Sequence, residues 1–187
     1  MNRKDYHVEY VTGGCDSDIF IVKLDSSKER TQLVKLYVGL GSRLQDKKHL
    51  IAVLKNYFET FNDVRSFLSQ NNNPLEQKIN IEGHEFDLEF TAASSGTLIE
   101  KNDMVGSWVR NWIPGRHMTD SRVPHQIYTH IRMTNDYLSE KFKIDMNPSE
   151  INYKVIVDEK NEKVRVIFTD ICNSILQFVT ANETKNS

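Results

Sequence analysis

The sequence predicts an α+β fold, because stretches with the period of strands and stretches with the period of helices follow one another along the chain. Tyr6, Val8 and Tyr10 alternate with polar residues, as in a half-buried strand. From Leu50 to Leu68, apolar residues recur at three- and four-residue steps, as in a long amphipathic helix. Two β-branched runs flank a polar turn within residues 154–172, which predicts a hairpin.

Composition limits the classes of partner. With 187 residues, 39% hydrophobic and 27% charged, the chain can bury the core of one domain or of two small lobes. A net charge of -2 provides no bulk attraction to nucleic acid or to an anionic membrane, so neither is expected as a partner. The only cysteines, Cys15 and Cys172, are expected to be reduced thiols. We expect a cytoplasmic protein, or one delivered into a host cytoplasm as an effector.

A glycine turn separates the first two predicted strands. Gly13 and Gly14 would let backbone N–H groups approach an anion closely, and Ser17 adds a hydroxyl donor. An ordinary hairpin turn without a ligand is the alternative. The third predicted strand, residues 31–38, carries Lys35 inside an apolar run. This lysine either reaches out to solvent or supplies a cation for a bound phosphate.

The middle of the chain predicts more strands and a second helix. Glu59 is the only glutamate of the long helix, and it lies beside the apolar stripe. Residues 39–42, which contain two glycines, are expected to end the third strand in a turn. Further strands are predicted at 79–81, 86–90 and 97–99 and at 106–116, which closes with Pro114 and Gly115, and a helix at 124–143.

The predicted hairpin delivers an acid at its end. Asp170 follows an almost wholly apolar run, where a carboxylate is costly unless a cation or hydrogen-bond donors receive it. Just upstream of the hairpin, residues 145–152 form a polar loop that begins with Asp145 and ends with Asn152. Along the chain, the acid Asp145, the amide Asn152, the predicted hairpin and the second acid Asp170 therefore follow one another.

This order resembles the protein kinase-like superfamily, in which a catalytic Asp, a metal-binding Asn, a two-stranded hairpin and a metal-binding Asp are consecutive. Within this superfamily, the motifs of aminoglycoside and choline phosphotransferases are the most similar to those of this chain. They often carry Asp-Leu-Asn/His-Pro-x-Asn before a strand that ends in Val-Asp, and this chain has Asp145-Met146-Asn147-Pro148 before Val155-Ile156-Val157-Asp158. The resemblance implies a bilobal fold, with an antiparallel-sheet small lobe at 1–115 and a much reduced helical large lobe at 116–187.

The resemblance also implies a site for ATP and Mg²⁺. In the first half of the chain, the nucleotide would contact Gly13, Gly14 and Ser17 at its phosphates, Lys35 paired with Glu59, and the backbone of Asn111 and Ile113 at adenine. In the second half, Asp170 and Asn152 would bind magnesium. Asp145 would orient or deprotonate the acceptor hydroxyl.

Three departures from the family pattern leave alternatives open. The loop from Asp145 to the hairpin is longer than usual, and a second register places the amide position at Lys154. The motif Asp-Phe-Gly becomes Asp170-Ile171-Cys172, which lacks the glycine. Only residues 171–187 follow, as in abbreviated kinases that pathogens deliver into hosts. We therefore predict a minimal kinase that acts on a protein or a small hydroxyl compound. The alternatives are a pseudokinase that binds nucleotide or a partner protein, and an unrelated α+β binding protein.

Overall fold

The computed structural model of the protein is mixed α+β. It describes residues 6–13, 17–24, 31–44, 46–70, 74–75, 77–94, 96–101, 104–109, 115–146, 152–172 and 174–178. The helices and strands within these ranges are β1 (Tyr6–Gly13), β2 (Asp18–Leu24), β3 (Thr31–Leu36), α1 (Val38–Leu44), α2 (Lys47–Leu68), β4 (Gln77–Ile81), β5 (His84–Ala92), β6 (Thr97–Lys101), β7 (Met104–Val109), β8 (Arg116–His117), α3 (Gln126–Phe142), β9 (Tyr153–Asp158) and β10 (Lys163–Phe168). No helix within these ranges combines the length and the hydropathy that a membrane span requires.

The chain divides into two compact units, each assembled from separate segments. Unit 1 consists of Met1–Phe58, Ser95–Trp112 and Ser174–Ser187, and unit 2 of Glu59–Ser94 and Ile113–Asn173. The division therefore differs from the single boundary at residue 115 that the sequence suggested. The physical reason is a strand pairing between distant segments, since β5 joins the sheet that contains the C-terminal hairpin.

Unit 1 contains a five-stranded sheet in the order β1-β2-β3-β7-β6. All neighbouring strands are antiparallel. The sheet confirms the three predicted strands, the third of which carries Lys35, whereas residues 14–16 of the predicted glycine turn lie outside the described residues. The first part of α2 contributes Tyr57 and Phe58 to the core of this unit, where their rings contact Phe178 and Tyr37, respectively.

The end of β3 differs from the prediction. The strand stops at Leu36, and the two glycines that suggested a turn lie inside α1. Ser42 Oγ and Arg43 Nε both donate hydrogen bonds to the carbonyl of Gly39, at 2.8 and 3.3 Å. These side-chain bonds from the following turn support a helix despite the low helix propensity of glycine.

Unit 2 contains the second five-stranded sheet, in the order β4-β5-β10-β9-β8. The predicted hairpin is confirmed as β9 and β10, which pair from Asp158↔Lys163 to Tyr153↔Phe168. At its turn, the Asp158 carboxylate accepts hydrogen bonds from the backbone N–H and the side-chain amide of Asn161, at 3.2 and 2.7 Å. On its other edge β10 pairs with β5, and this pairing is parallel.

The two faces of the unit 2 sheet differ in polarity. Side chains alternate across a strand, so Val164, Val166 and Phe168 share one face, and all three are fully buried. Helix α3 packs on this apolar face, where the side-chain amide of Asn135 donates a 2.7 Å hydrogen bond to the Tyr153 hydroxyl. The helix predicted at residues 124–143 is confirmed as α3, which spans Gln126–Phe142.

Ion pairs cross the strands on the opposite face. Glu89 on β5 lies between Lys163 and Arg165 of β10, with N···O distances of 2.6 and 3.4 Å. Lys78 on β4 pairs with Glu85 at 2.7 Å. The hydrogen bond from Lys163, together with the charge of both cations, lowers the pKa of the Glu89 carboxyl. Opposite charges on adjacent strands thus stabilise the observed pairing of β5 with β10 and with β4.

Replacing Glu89 by glutamine should destabilise the protein in a pH-dependent way. The folded-state pKa of Glu89 lies below its unfolded value, so the ion pair stabilises the fold above the unfolded value and loses this effect as pH falls through the folded pKa. At pH 7, Glu89→Gln should lower the free energy of unfolding by about 0.5–1 kcal/mol in urea titrations. The difference should shrink as the pH falls below the unfolded pKa of a glutamate and vanish once the pH lies below the folded pKa of Glu89. Glu85→Gln, in a solvent-exposed pair, serves as the control, and a difference for Glu89→Gln that persists at low pH would contradict the assignment.

A buried threonine on α3 allows a second stability test. Thr134 is fully buried, and within the described part of the chain its Oγ1 atom has no hydrogen-bond partner. Because valine removes the buried hydroxyl and keeps the branched shape, Thr134→Val should leave the free energy of unfolding unchanged or raise it by about 1 kcal/mol. Thr134→Ala is the control and should lower it by leaving a cavity. A clear loss of stability in the valine variant would show that the hydroxyl is bonded.

Candidate functional site

The predicted phosphate-binding residues of unit 1 lie near one another in its sheet. Gly13, at the end of β1, pairs with Asp18 at the start of β2, and half-buried Ser17 directly precedes that strand. Lys35 on β3 pairs with Ile19, the residue after Asp18. The glycine turn and the lysine are thus at the same end of the sheet, two strands and roughly 10 Å apart. Gly14 lies outside the described residues.

Lys35 occupies the central strand and is half-buried. On its other side it pairs with Ser107 of β7, which is fully buried and lies 3.3 Å from the Tyr37 hydroxyl. Glu59 is exposed on α2, and its pairing with Lys35 stays a prediction. The predicted adenine-binding residues Asn111 and Ile113 lie outside the described residues.

In unit 2, the structure places Asn152 and Asp170 at the same end of the hairpin. The backbone carbonyl of Asn152 accepts hydrogen bonds from both the N–H and the Oγ1 of Thr169, at 2.8 and 2.9 Å. These bonds extend the pairing by one residue beyond Tyr153 and Phe168, the last partners of the ladder. Asp170 follows Thr169 directly, so both predicted metal-binding residues are near neighbours.

The Asp170 carboxylate also turns the backbone. Its Oδ1 atom accepts hydrogen bonds from the N–H groups of Ile171 and Cys172, at 2.8 and 3.4 Å. The side chains of Ile171 and Cys172 are buried, which fixes the direction of the chain after the turn. An aspartate that bonds to the backbone two residues ahead forms an Asx turn. This turn is formed by Asp170-Ile171-Cys172, which contains no glycine.

The donor atoms at this end of the hairpin fit a magnesium ion. Magnesium prefers oxygen ligands and commonly binds through one or two carboxylates together with substrate phosphates. A carboxylate offers about four lone-pair positions, so the turn bonds of Asp170 and a metal bond are compatible. Among the residues whose placement is described, His, Cys, Asp and Glu side chains form no group of three or more that would hold a metal alone. Phosphate oxygens would therefore have to complete the coordination.

Asp145, the predicted catalytic acid, follows α3 and is exposed. The helix ends at Phe142, and Lys143 adopts the left-handed conformation with φ 57°. Met146 is buried, and its N–H donates a 2.9 Å hydrogen bond to Ser139 Oγ on the helix. The loop is thus anchored directly after Asp145. Residues 147–151 lie outside the described part of the chain, and the role of Asp145 stays a prediction.

Lys154 is the residue near this site whose importance the sequence reasoning missed. It lies on β9 with 9% of its surface exposed, and burial lowers the pKa of its ammonium group. Lys154 is two residues from Asn152 along the chain, and its partner across the hairpin, Ile167, is two residues from Thr169. In the sequence, the available signal was a lysine between Tyr153 and Val155 in an otherwise apolar run.

The backbone of Gly115 lies close to β9. A Cβ atom built on Gly115 would lie 3.3 Å from the Lys154 Cβ and 3.0 Å from the Val155 carbonyl oxygen. Gly115 also has φ +122°, a conformation that side chains disfavour. The close approach of this backbone to β9 therefore requires glycine.

Comparison with protein-family models gave no match for the chain, and comparison with curated proteins gave none either. Fold and site together define an α+β protein with two sheets. One sheet carries a glycine turn and a lysine, and the other carries an amide and a carboxylate at the end of a hairpin.

Alanine at position 115 should cost more stability than alanine at a second glycine with positive φ. Gly83 has φ +89°, and a Cβ added there would meet nothing within 4 Å. Gly83→Ala therefore tests the backbone conformation alone, whereas Gly115→Ala adds crowding against β9. We expect a loss of more than about 1 kcal/mol for Gly115→Ala and a smaller loss for Gly83→Ala in urea titrations. Equal losses of stability in the two variants would contradict close packing of the Gly115 backbone against β9.

Proposed function

We propose that the protein is an ATP- and Mg²⁺-dependent phosphotransferase, a minimal kinase that acts on a hydroxyl group of a protein or a small molecule. The main support is the end of the hairpin in unit 2, where hydrogen bonds from Thr169 to the Asn152 backbone carbonyl bring Asn152 opposite the residue that precedes Asp170. A second support is the placement of Lys35 and the glycine turn at one end of the sheet in unit 1.

The finer fold proposal follows from the same features. Unit 1 corresponds to the antiparallel small lobe of a kinase-like bilobal fold, with its glycine turn between β1 and β2 and its lysine on β3. Unit 2 corresponds to the reduced large lobe, because it holds the loop of Asp145 and the hairpin. Residues 59–94, which include β4 and β5, belong to unit 2, whereas a single boundary at residue 115 would assign them to the small lobe.

The proposed reaction transfers the terminal phosphoryl group of ATP. Its requirements are cations on the phosphates, oxygen ligands for the metal and a group that orients the nucleophile. Lys35 binds phosphate oxygens, and Asp170 and Asn152 hold magnesium, which neutralises charge on the phosphates when it is bound. Asp145 accepts the proton of the acceptor hydroxyl, whose oxygen bonds to the γ-phosphorus. The bond from that phosphorus to the bridging oxygen breaks, and ADP leaves.

The Asx turn at Asp170 favours a second candidate function. Because Oδ1 already accepts two backbone hydrogen bonds, the carboxylate has a structural role that does not require a metal. A pseudokinase would retain this turn, and would bind nucleotide or a partner protein without phosphoryl transfer. Binding and transfer measurements separate the two functions.

The decisive variant is Asp170→Asn. Asparagine keeps an oxygen that accepts the backbone hydrogen bonds of the turn, but it removes the negative charge that a metal requires. Transfer of labelled phosphate from ATP to a panel of acceptors should fall at least about 100-fold in this variant and in Lys35→Met. Asp136→Asn and Lys55→Met, at exposed positions on α3 and α2, are the matched controls and should retain parental activity.

Thermal unfolding with and without Mg²⁺ and ATP completes this test. A ligand that binds only the folded state raises the melting temperature. A shift and phosphate transfer in the parent protein support the kinase. A shift without transfer supports the pseudokinase. Neither shift nor transfer would contradict the kinase and every function that binds nucleotide, and would leave a pure interaction module.

A further inference from the structure

We propose that the edge strand β1 pairs with β1 of a second copy of this chain, in antiparallel orientation about a two-fold axis at Val8. The inference goes beyond the proposed function, because it concerns an interaction surface of unit 1 and requires no nucleotide. Three observations carry it: the place of β1 in its sheet, the exposure of its apolar side chains, and a register in which the strand is complementary to itself.

Strand β1 lies at the end of the sheet of unit 1, and among the strands that the structure describes it pairs with β2 alone. The backbone groups of an edge strand can pair with another chain, and proteins commonly protect such edges with charged side chains or short strands. The other edges of the two described sheets are protected in this way. On β4, exposed Lys78 forms an ion pair with Glu85. On β6, the Glu100 carboxylate lies 3.7 Å from the Lys47 ammonium group, and β8 spans only two residues.

The exposed side chains of β1 are mostly apolar. Val8 and Tyr10, which share one face of the strand, are 64% and 59% exposed, and Val11 is 39% exposed. The ring of Tyr10 lies edge-on against Phe20 of β2, with 5.6 Å between the ring centroids. The strand contains no lysine, arginine or proline, and Glu9 is its only acidic residue. A further strand at this edge would therefore remove apolar surface from water and desolvate few charges.

The pairing of β1 with β2 shows which part of the edge is regular. The first five residues of β1 form an unbroken ladder with β2, and the register shifts between Tyr10 and Thr12, as at a β-bulge. A bulge bends its strand and increases the local twist, which disfavours pairing at the free edge. The regular part of the edge is therefore residues 6–10, and Val8 is its central residue. Two copies that both use this stretch place Val8 opposite Val8, because a two-fold axis gives both chains the same contacts.

The residue types that this register brings together are complementary. Besides the central pair of Val8 residues, Tyr10 lies opposite Tyr6 of the second copy and Glu9 lies opposite His7. Aromatic pairs and pairs of an acid with a base stabilise neighbouring strands, and a histidine N–H donates to a carboxylate in either charge state. A register centred one residue later would place two Glu9 carboxylates opposite each other, which is unfavourable. The sequence of β1 therefore favours a second copy of the chain as the occupant of this edge.

Sedimentation velocity of the full chain at increasing protein concentration tests the pairing. The parent protein should shift from the mass of one chain to that of two. Val8→Lys should abolish this shift, because it places two ammonium groups opposite each other at the centre of the edge. Met133→Lys, at a position on α3 that is 54% exposed, is the matched control and should dimerise as the parent does. Circular dichroism and urea titration show whether the variants are folded. A parent that stays monomeric, or a folded Val8→Lys variant that dimerises as the parent does, would overturn the inference.

An exchange of charges tests the register. Glu9→Lys places a cation opposite His7, and His7→Glu places an acid opposite Glu9, so each variant alone should dimerise at least about 5-fold more weakly than the parent. In a mixed dimer of the two variants, an acid again lies opposite a base at both positions. With the two variants carrying different fluorescent labels, the mixture should therefore form heterodimers with about the affinity of the parent. A mixture that associates no better than the separate variants would contradict the pairing about Val8.

Discussion

Strand β10 is the structural element on which unit 2 depends, because it forms backbone hydrogen bonds on both of its edges. It pairs antiparallel with β9 on one side and parallel with β5 on the other. Bonds from the Asp87 N–H to the Glu162 carbonyl and from the Ala93 N–H to the Phe168 carbonyl, both 2.8 Å, bound the parallel ladder. The two segments of unit 2, which the unit 1 segment Ser95–Trp112 separates in the chain, are thereby joined in one sheet. Since Asp170 directly follows this doubly paired strand and Thr169, its carboxylate is attached to the most constrained part of the unit.

Much of this fold could be predicted from local periodicity. The hairpin, the first three strands and the helices α2 and α3 have patterns of period 2 or 3.6 that their own sequences contain. Periodicity does not tell which distant strand becomes a neighbour, so the parallel pairing of β5 with β10 and the resulting two units were missed. Helix α1 was missed because its glycines indicate a turn, whereas the bonds that Ser42 and Arg43 make to Gly39 depend on the folded geometry.

The candidate site was predictable to a similar extent. The neighbourhood of Asn152 and Asp170 follows from the hairpin alone, since residues that flank an antiparallel pair meet at its open end. The burial of Lys154 does not follow from its sequence, because an alternating strand offers a lysine a solvent-facing position as readily as a covered one.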